Sequence, residues 1–452
     1  MSRNRIQFGG PAKRQSRQSI PDHFEADIDN LSLEGRGIAR INGKTCFITG
    51  ALPGERVNAQ ITARHKRYDE AVVEEILVAS GERRQPPCEY YGRCGGCQLQ
   101  HLEPKLQLEY KQNQLLDQLK RFSDIEPQQV EAALTSEEFG YRRTARIGIN
   151  QRADGELLIG FRRQASNKLL DIDQCPVLDS RINALLAALR NALTGLGDIK
   201  HLTHLDIACG DETGSLTIRT TRKLNQVQSE AIVQACSEQG FQFYIENNKG
   251  QIERVSSTAV QLSYQLPAQN INLSFAPGDF LQVNASINQK MVERALEWLS
   301  PTENDRVLDL FCGLGNFTLP LATKAARVVG VEGSAEMVAR ARDNAELNSL
   351  SNAEFYKGDL SSDIREGYWY RESRQDGFDL VLLDPPRAGA EACVRELAGY
   401  GARAVLYISC NPAALVRDAK LLKEAGYLMT RFSVMDMFPN TAHVESMALF
   451  EC

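Results

Sequence analysis

The sequence predicts an α/β fold: a C-terminal open parallel sheet preceded by a small β-barrel and an α+β middle domain. Three observations carry that reading. After Pro277, helical and strand-like segments alternate in regular order, which implies βαβ units and a parallel sheet. Residues 22–79 instead alternate apolar and polar residues in short runs, broken by Gly35, Gly37, Asn42-Gly43 and Pro53-Gly54. That spacing suits a small five-stranded barrel. From about 139 to 270, strand-like runs such as "YRRTARIGINQ" and "LTHLDIACG" mix with helical runs at 181–195 and 224–239. The resulting division is a basic tail at 1–20, a barrel at 21–79, a middle domain at 80–270 and the parallel-sheet domain at 271–452.

The totals suit a protein of several domains. The chain has 452 residues, 42% hydrophobic and 24% charged, ordinary for a globular protein. No stretch of ~18 apolar residues exists, so no membrane helix is expected. The N-terminus lacks the apolar segment of a secretory signal, which points to the cytoplasm. There, eleven cysteines suggest metal binding or catalysis rather than disulfides. A net charge of −6 argues against a uniformly basic nucleic-acid binder. Residues 1–20, however, hold five Lys/Arg and no acid, which suits a solvated arm or a phosphate-contacting one. The stretch "ARHKRY" at 63–68 sets cations beside an aromatic, either an RNA-facing edge or an ordinary solvated one.

The cysteines are not scattered evenly. "PPCEYYGRCGGCQLQHL" sets five residues between Cys88 and Cys94 and two between Cys94 and Cys97, with Cys175 next to a proline in "DIDQCPVL". Three close cysteines and one distant one can hold either zinc or an iron–sulfur cluster, and spacing does not choose.

In the last domain, "DRVLDLFCGLGNFTLPLA" reads as a strand carrying Asp309, a turn with Gly313 and Gly315, and a helix start. Glycines there let the backbone approach a ligand. The next strand ends in Glu332, about 20 residues on, where an acid can bind ribose hydroxyls. Later strand-like runs end in Asp359, in Asp384-Pro385-Pro386-Arg387 and in Ser409-Cys410-Asn411-Pro412. Ligands bind at the carboxyl ends of parallel strands, so these side chains share one rim. Alone, Cys410 reads as a buried small hydrophobe; its place on that rim with Asp309, Glu332, Asp359 and Asp384 argues against coincidence.

With these residues in view, the domain resembles the class I S-adenosylmethionine methyltransferases, a Rossmann-like fold. That resemblance implies cofactor contacts from Phe311, Asn316, Glu332 and Asp359, from Gln282 in "FLQVN", and from Asp384 beside cofactor and target base. The combination "LLDPPR…SCNP…HVES" resembles the RNA uracil-5-methyltransferase family, over about 275–452. The resemblance implies covalent catalysis: Cys410 adds to carbon 6 of uracil, carbon 5 takes the methyl group, and Glu445 removes the carbon-5 proton before the thiol leaves. A Glu on a strand is otherwise most often solvated, and His443 is the alternative base. The pattern of Cys88, Cys94, Cys97 and Cys175 resembles the iron–sulfur subgroup of the ribosomal uracil-5 enzymes, which implies a [4Fe–4S] cluster. Residues 21–79 resemble a TRAM domain, an OB-like RNA-binding barrel.

The implied substrate is one uracil of 23S ribosomal RNA, position 1939, and a monomer is expected. Another 23S position or a tRNA is the alternative. Intact Cys410 and Glu445 argue against an RNA-binding protein with a dead methyltransferase domain. Arg387 after the prolines and the nucleophilic Cys410 argue against an amino-methyltransferase.

Overall fold

The computed structural model describes residues 21–257, 259–362, 364–367, 369–371, 377–397 and 401–452. The basic tail expected at 1–20 lies outside them. The chain falls into two units, one ending at Arg83 and the other running Arg84–Cys452.

In the first unit, the described residues form β-strands joined by turns. Its strands are β1 (His23–Asp27), β2 (Asn30–Leu31), β3 (Gly37–Ile41), β4 (Lys44–Thr49), β5 (Arg56–Arg64) and β6 (Tyr68–Val78). They form one sheet in the order β1-β5-β6-β4-β3-β2. Five are the strands expected from the sequence; the two-residue β2 is an addition. The Asp29 N–H donates to the Ile38 carbonyl at 2.8 Å, so the chain leaving β1 curls back to β3 and draws the two edges together. Alternate residues face inward, and the core they make is narrow: Ala26, Ala39, Ala59 and Ala71 with Ile48 and Val57. The "ARHKRY" stretch forms the tip of the β5–β6 hairpin. Arg64 is paired there with Asp22 at 2.6 Å, His65 stacks on Tyr68 with centroids 4.4 Å apart, and Lys66 and Arg67 are exposed.

The second unit opens with the cysteine-bearing segment, α1 (Pro104–Gln118) and β7 (Gln129–Val130). Both elements pack with the C-terminal sheet, although the sequence reading placed them in the middle domain. β7 becomes the sheet's outer edge beside a later strand, and α1 buries Leu108 and Leu115 in the same core as that sheet. The middle sheet follows: β8 (Thr144–Gln151), β9 (Leu157–Arg162), β10 (Leu169–Asp171), β11 (Leu202–Cys209), β12 (Gly214–Thr220), β13 (Phe241–Glu246) and β14 (Ile252–Arg254), in the order β10-β9-β8-β11-β12-β13-β14. Only β12 and β13 pair in parallel, the crossover that a helix requires. Two helices complete this part, α2 (Ser180–Leu193), capped by the Asp179 side chain, and α3 (Gln226–Glu238), which opens with a reciprocal box between Asn225 and Gln228. The hairpin of β15 (Ser263–Leu266) and β16 (Ile271–Ser274) then joins the C-terminal core through Tyr264, Leu266 and Leu273.

The C-terminal elements are α4 (Ala285–Leu299), β17 (Arg306–Leu310), α5 (Thr318–Ala322), β18 (Arg327–Glu332), α6 (Ala335–Leu347), β19 (Ala353–Lys357), β20 (Leu380–Leu383), α7 (Glu391–Leu397), β21 (Ala404–Ser409), α8 (Pro412–Glu424), β22 (Leu428–Met435) and β23 (Glu445–Glu451). The sheet order is β19-β18-β17-β20-β21-β23-β22-β7. Strands β17 to β21 pair in parallel, while β23 runs antiparallel to both neighbours. The central strands are mostly apolar, as sheets covered on both faces require; in β20 all four residues are apolar and buried. The chain order reverses direction between β17 and β20. That switch point opens a crevice at the carboxyl ends of the strands.

Candidate active site

At the end of β17 the backbone turns through Phe311 (φ +68°), Gly313 (φ +56°) and Gly315 (φ +91°). The left-handed region is costly for Phe311, and such strain collects at ligand sites. A side chain at Gly315 would be strained by its φ and would stand 3.1 Å from Leu319. The turn is held from below. The Gly313 N–H donates to Glu332 Oε2 at 3.3 Å, and the Ser334 N–H to Oε1 at 3.0 Å. Asp359 follows Gly358, whose N–H donates to the Glu332 carbonyl at 3.0 Å. The Asp359 carboxylate is exposed and accepts from Ser361 and Ser362, which holds it below its ordinary range.

Asn316 is fixed by two residues that the sequence reading missed. It exchanges amide hydrogen bonds with Asn288 on α4 at 2.8 and 3.0 Å, and it accepts from the Tyr264 hydroxyl at 3.0 Å. Neither partner belongs to a local motif, so spacing offered no signal for them. Asp309 is fully buried; Thr318 donates to its Oδ2 at 2.5 Å, while its Oδ1 has no hydrogen-bond partner. Burial pushes this carboxyl up to about 7. Gln282 reaches across to Asp384, its Nε2 donating to Oδ2 at 3.4 Å. Burial likewise raises Asp384 to about 7.

Cys410 sits where β21 passes into α8. Asn411 caps that helix by accepting from the Ala413 N–H at 3.1 Å, and its Nδ2 donates to the Arg387 carbonyl at 2.8 Å. The cap therefore ties the "SCNP" turn to the "DPPR" turn. A helix N-terminus lowers a thiol's pKa, but here opposing effects win. Burial, then the nearby Glu445 and Asp384 carboxyls, push Cys410 up to about 11 against the pull of Arg387. Glu445 opens β23 and is itself pushed well above the carboxylate range, by burial and then by Asp384, with Arg387 opposing. Thiol, two carboxyls and one guanidinium thus form a single coupled group. His443, the alternative base, is exposed with Arg387 Nη2 3.5 Å from its Nδ1. Its interaction runs to Arg387, whereas the coupling to Cys410 comes from Glu445 and Asp384.

The four cysteines lie apart from this crevice in sequence yet sense one another's charge. Cys97 responds to the charges of Cys175, Cys94 and Cys88, and Cys175 to those of Cys94 and Cys88. Burial first, then this crowding, raises Cys97 to about 12 and Cys175 to about 11. Backbone N–H groups point at the sulfurs: Gly96 donates to Cys94 Sγ at 3.4 Å, and Val177 and Leu178 donate to Cys175. Among the described residues, no set of three His, Cys, Asp or Glu is arranged to hold a metal ion.

Comparison with known proteins accords with this geometry. The family profile described as tRNA (Uracil-5-)-methyltransferase matches residues 103–452, and that of the TRAM domain matches residues 22–73. A protein of Hahella chejuensis named 23S rRNA (uracil(1939)-C(5))-methyltransferase RlmD is 41% identical over 440 residues, 96% of this chain and 99% of its own. Its namesake from Pseudomonas aeruginosa is 44% identical over 425 residues, 94% and 93% of the two chains. The crystal structure of Pyrococcus abyssi tRNA (uracil-54, C5)-methyltransferase in complex with S-adenosyl-L-homocysteine aligns with a TM-score of 0.73 at 26% identity, covering 94% of this chain and 99% of that one. With a profile match from residue 103 to the last residue and relatives this similar along nearly the whole chain, the protein belongs to the tRNA (uracil-5-)-methyltransferase family, with an added TRAM domain.

Proposed function

We propose that this protein methylates carbon 5 of a uracil in 23S ribosomal RNA, position 1939 as its relatives' names have it, with S-adenosylmethionine as methyl donor. The observation that carries the chemistry is the coupled group of Cys410, Glu445, Asp384 and Arg387 beside the glycine turn. The residues present suit the donor: a turn without side chains at Gly313 and Gly315, a strand-end acid in Glu332 for ribose hydroxyls, and the buried, unpartnered Asp309 Oδ1. Phe311, Asn316, Glu332 and Asp359 would hold it, with Gln282 and Asp384 between donor and base. When bound, it supplies an electrophilic methyl group.

The rest is the work of side chains. Carbon 5 of uracil is too weak a nucleophile on its own. Cys410 adds to carbon 6, and the electron pair of the 5,6-double bond passes into an enolate whose carbon 5 takes the methyl group. Glu445 then removes the proton from carbon 5, the double bond re-forms and the sulfur leaves carbon 6. This divides one hard step into easier ones. The target base must be flipped from its stack to reach Cys410, at a cost of a few kcal/mol.

The cysteine pattern assigns Cys88, Cys94, Cys97 and Cys175 to a [4Fe–4S] cluster in this reading, which would link segments 78 residues apart in sequence (Cys97 to Cys175). The N–H donors aimed at sulfur suit thiolates, and the mutual repulsion that raises these thiols is what a bound metal's positive charge would offset. The protein's place with ribosomal RNA and the lack of a membrane-crossing helix among the described residues suit the cytoplasm, and it acts as a monomer in this reading. Mapping 5-methyluridine in 23S fragments and tRNA after single-turnover reaction tests the assignment. Methylation of a single 23S uridine is expected; transfer to tRNA alone would overturn it.

A further inference from the structure

The loop between β22 and β23, residues 436–444, delivers the chain to Glu445, and it is gripped along its length by distant segments. At its start, Lys111 of α1 is buried against Asp436 at 3.3 Å. At its apex, Asn440 is fully buried in the left-handed region (φ +67°). Its Oδ1 accepts from Arg84 and Gln107, both at 3.2 Å, and its Nδ2 donates to the Glu138 carbonyl at 3.2 Å. The last grip before Glu445 comes from the cysteine-bearing segment. The N–H groups of Gln98 and Leu99 donate to the Asn440 carbonyl at 3.0 and 2.9 Å. The Gln98 Oε1 accepts from the Ala442 N–H at 3.1 Å. The other end of that side-chain amide donates to the Gly95 carbonyl at 2.9 Å, between Cys94 and Cys97.

We infer that Gln98 is a positioning residue for Glu445, coupling the four-cysteine centre to the loop that aims the base. The inference rests on the function proposed above. The loop has no regular backbone pairing to set its path, so the point where it re-enters β23 depends on these bonds. Displacements of about 1 Å at a reacting group can cost about 10²-fold in rate. The step affected is proton removal from carbon 5, not thiol addition, because the turn that carries Cys410 is fixed by the Asn411 bonds to Ala413 and Arg387 rather than by Gln98.

Two variants of the full-length, metal-loaded protein test this. Gln98→Met keeps the length and loses both hydrogen bonds; Gln98→Glu keeps an acceptor for the Ala442 N–H. Amide hydrogen exchange across 436–444 of the free protein should quicken about fivefold in Gln98→Met, the scale of one net hydrogen bond, with iron and sulfide content unchanged. With RNA and cofactor, Gln98→Met should accumulate a covalent protein–RNA adduct that survives denaturing gels, and Gln98→Glu should release product nearly as the parent does. Equal slowing of adduct formation and release, or loss of iron with loss of activity, would make Gln98 merely structural and overturn the inference. Quickened exchange without adduct accumulation would overturn it too. Absence of methylation by the parent protein would instead sink the proposed function, leaving the exchange result to judge the Gln98 contact alone.

Discussion

Cys410 and Glu445 flank one end of the antiparallel strand pair β21–β23. The last paired rung joins Ser409 to Ser446, so Cys410 leaves that rung on one strand where Glu445 leads into it on the other. The two groups sense each other's charge. One end of the strand pair therefore supplies both the nucleophile and the base of the proposed reaction.

Cys410→Ala should lose methylation by at least about 10³-fold while binding cofactor nearly as before, because covalent activation of carbon 5 has no substitute. RNA carrying 5-fluorouridine should form a stable adduct with the parent protein and none with the variant. Turnover by the alanine protein within tenfold of the parent would rule out the thiol as nucleophile.

Glu445→Gln should separate two effects. Release from the methylated adduct should slow by about 10²-fold or more, so the adduct builds up. The Cys410 thiol should become more acidic at the same time, since Glu445 is one of the charges holding its pKa up. Alkylation of Cys410 by iodoacetamide at pH 8 should then run several-fold faster than in the parent. An unchanged alkylation rate would deny the coupling; adduct accumulation in His443→Ala instead would move the base to His443.

The rim of this site was legible in the sequence because each strand of a covered parallel sheet is a plain apolar run, and the first polar residue after it marks the edge. Asp384 follows such a run, Glu332 ends one, and Cys410 follows Ser409, the first polar residue after its own. The nearness of Cys410 to Glu445 was not legible, since it depends on β23 entering between β21 and β22, a pairing that no local pattern encodes. α1 was misplaced because it buries Gln107 and Lys111 beside its leucines, so its inward face looks polar. Asn440 and Asn288 act through long-range hydrogen bonds and carry no periodic signal at all.

Without cofactor, stability should fall as pH rises from about 5 to 8. Burial raises Asp309 and Asp384 to about 7 in the folded chain, while unfolded carboxyls titrate near ~3.9. Between those values the native state binds more protons, so raising the pH favours unfolding. The contribution is complete below about pH 4 and lost above about 7. Thermal unfolding should show a decline of a few degrees over this range, and Asp309→Asn should flatten it. A melting temperature that climbs steadily from pH 5 to 8 in both proteins would contradict the assignment.

Anaerobically purified protein should be brown and carry iron and sulfide near four each, the stoichiometry of a [4Fe–4S] site. Cys175→Ser should lose that metal and loosen the residues around it, because Cys175 is the one ligand candidate from beyond the 88–97 segment. Hydrogen exchange should rise at both segments together. Zinc in place of iron in the anaerobic protein would assign the four thiols to a different centre.

Removing residues 1–83 should weaken binding to a 23S fragment while sparing cofactor affinity and the chemical step. The cut follows the boundary of the first unit and keeps Arg84, whose guanidinium bonds Glu138 and Asn440 in the second unit. The truncation takes away charge suited to phosphates. Residues 1–20 carry five Lys/Arg without an acid, and Lys66 and Arg67 stand exposed at the β5–β6 tip. Arg36, Lys44, Arg56 and Arg64 contribute less, since each is already paired with a carboxylate of the same barrel. For a single strand, every phosphate left without its cation should reduce the slope of log K against log salt by about 0.7. The truncated protein should therefore bind more weakly at low salt and respond less steeply to added salt, with single-turnover methylation of saturating RNA changed much less. Lys66→Ala with Arg67→Ala in the full-length chain should lower the slope by up to about 1.4 on the same scale, leaving the barrel folded. Full RNA affinity after truncation, with an unchanged salt slope, would remove the first unit from RNA binding.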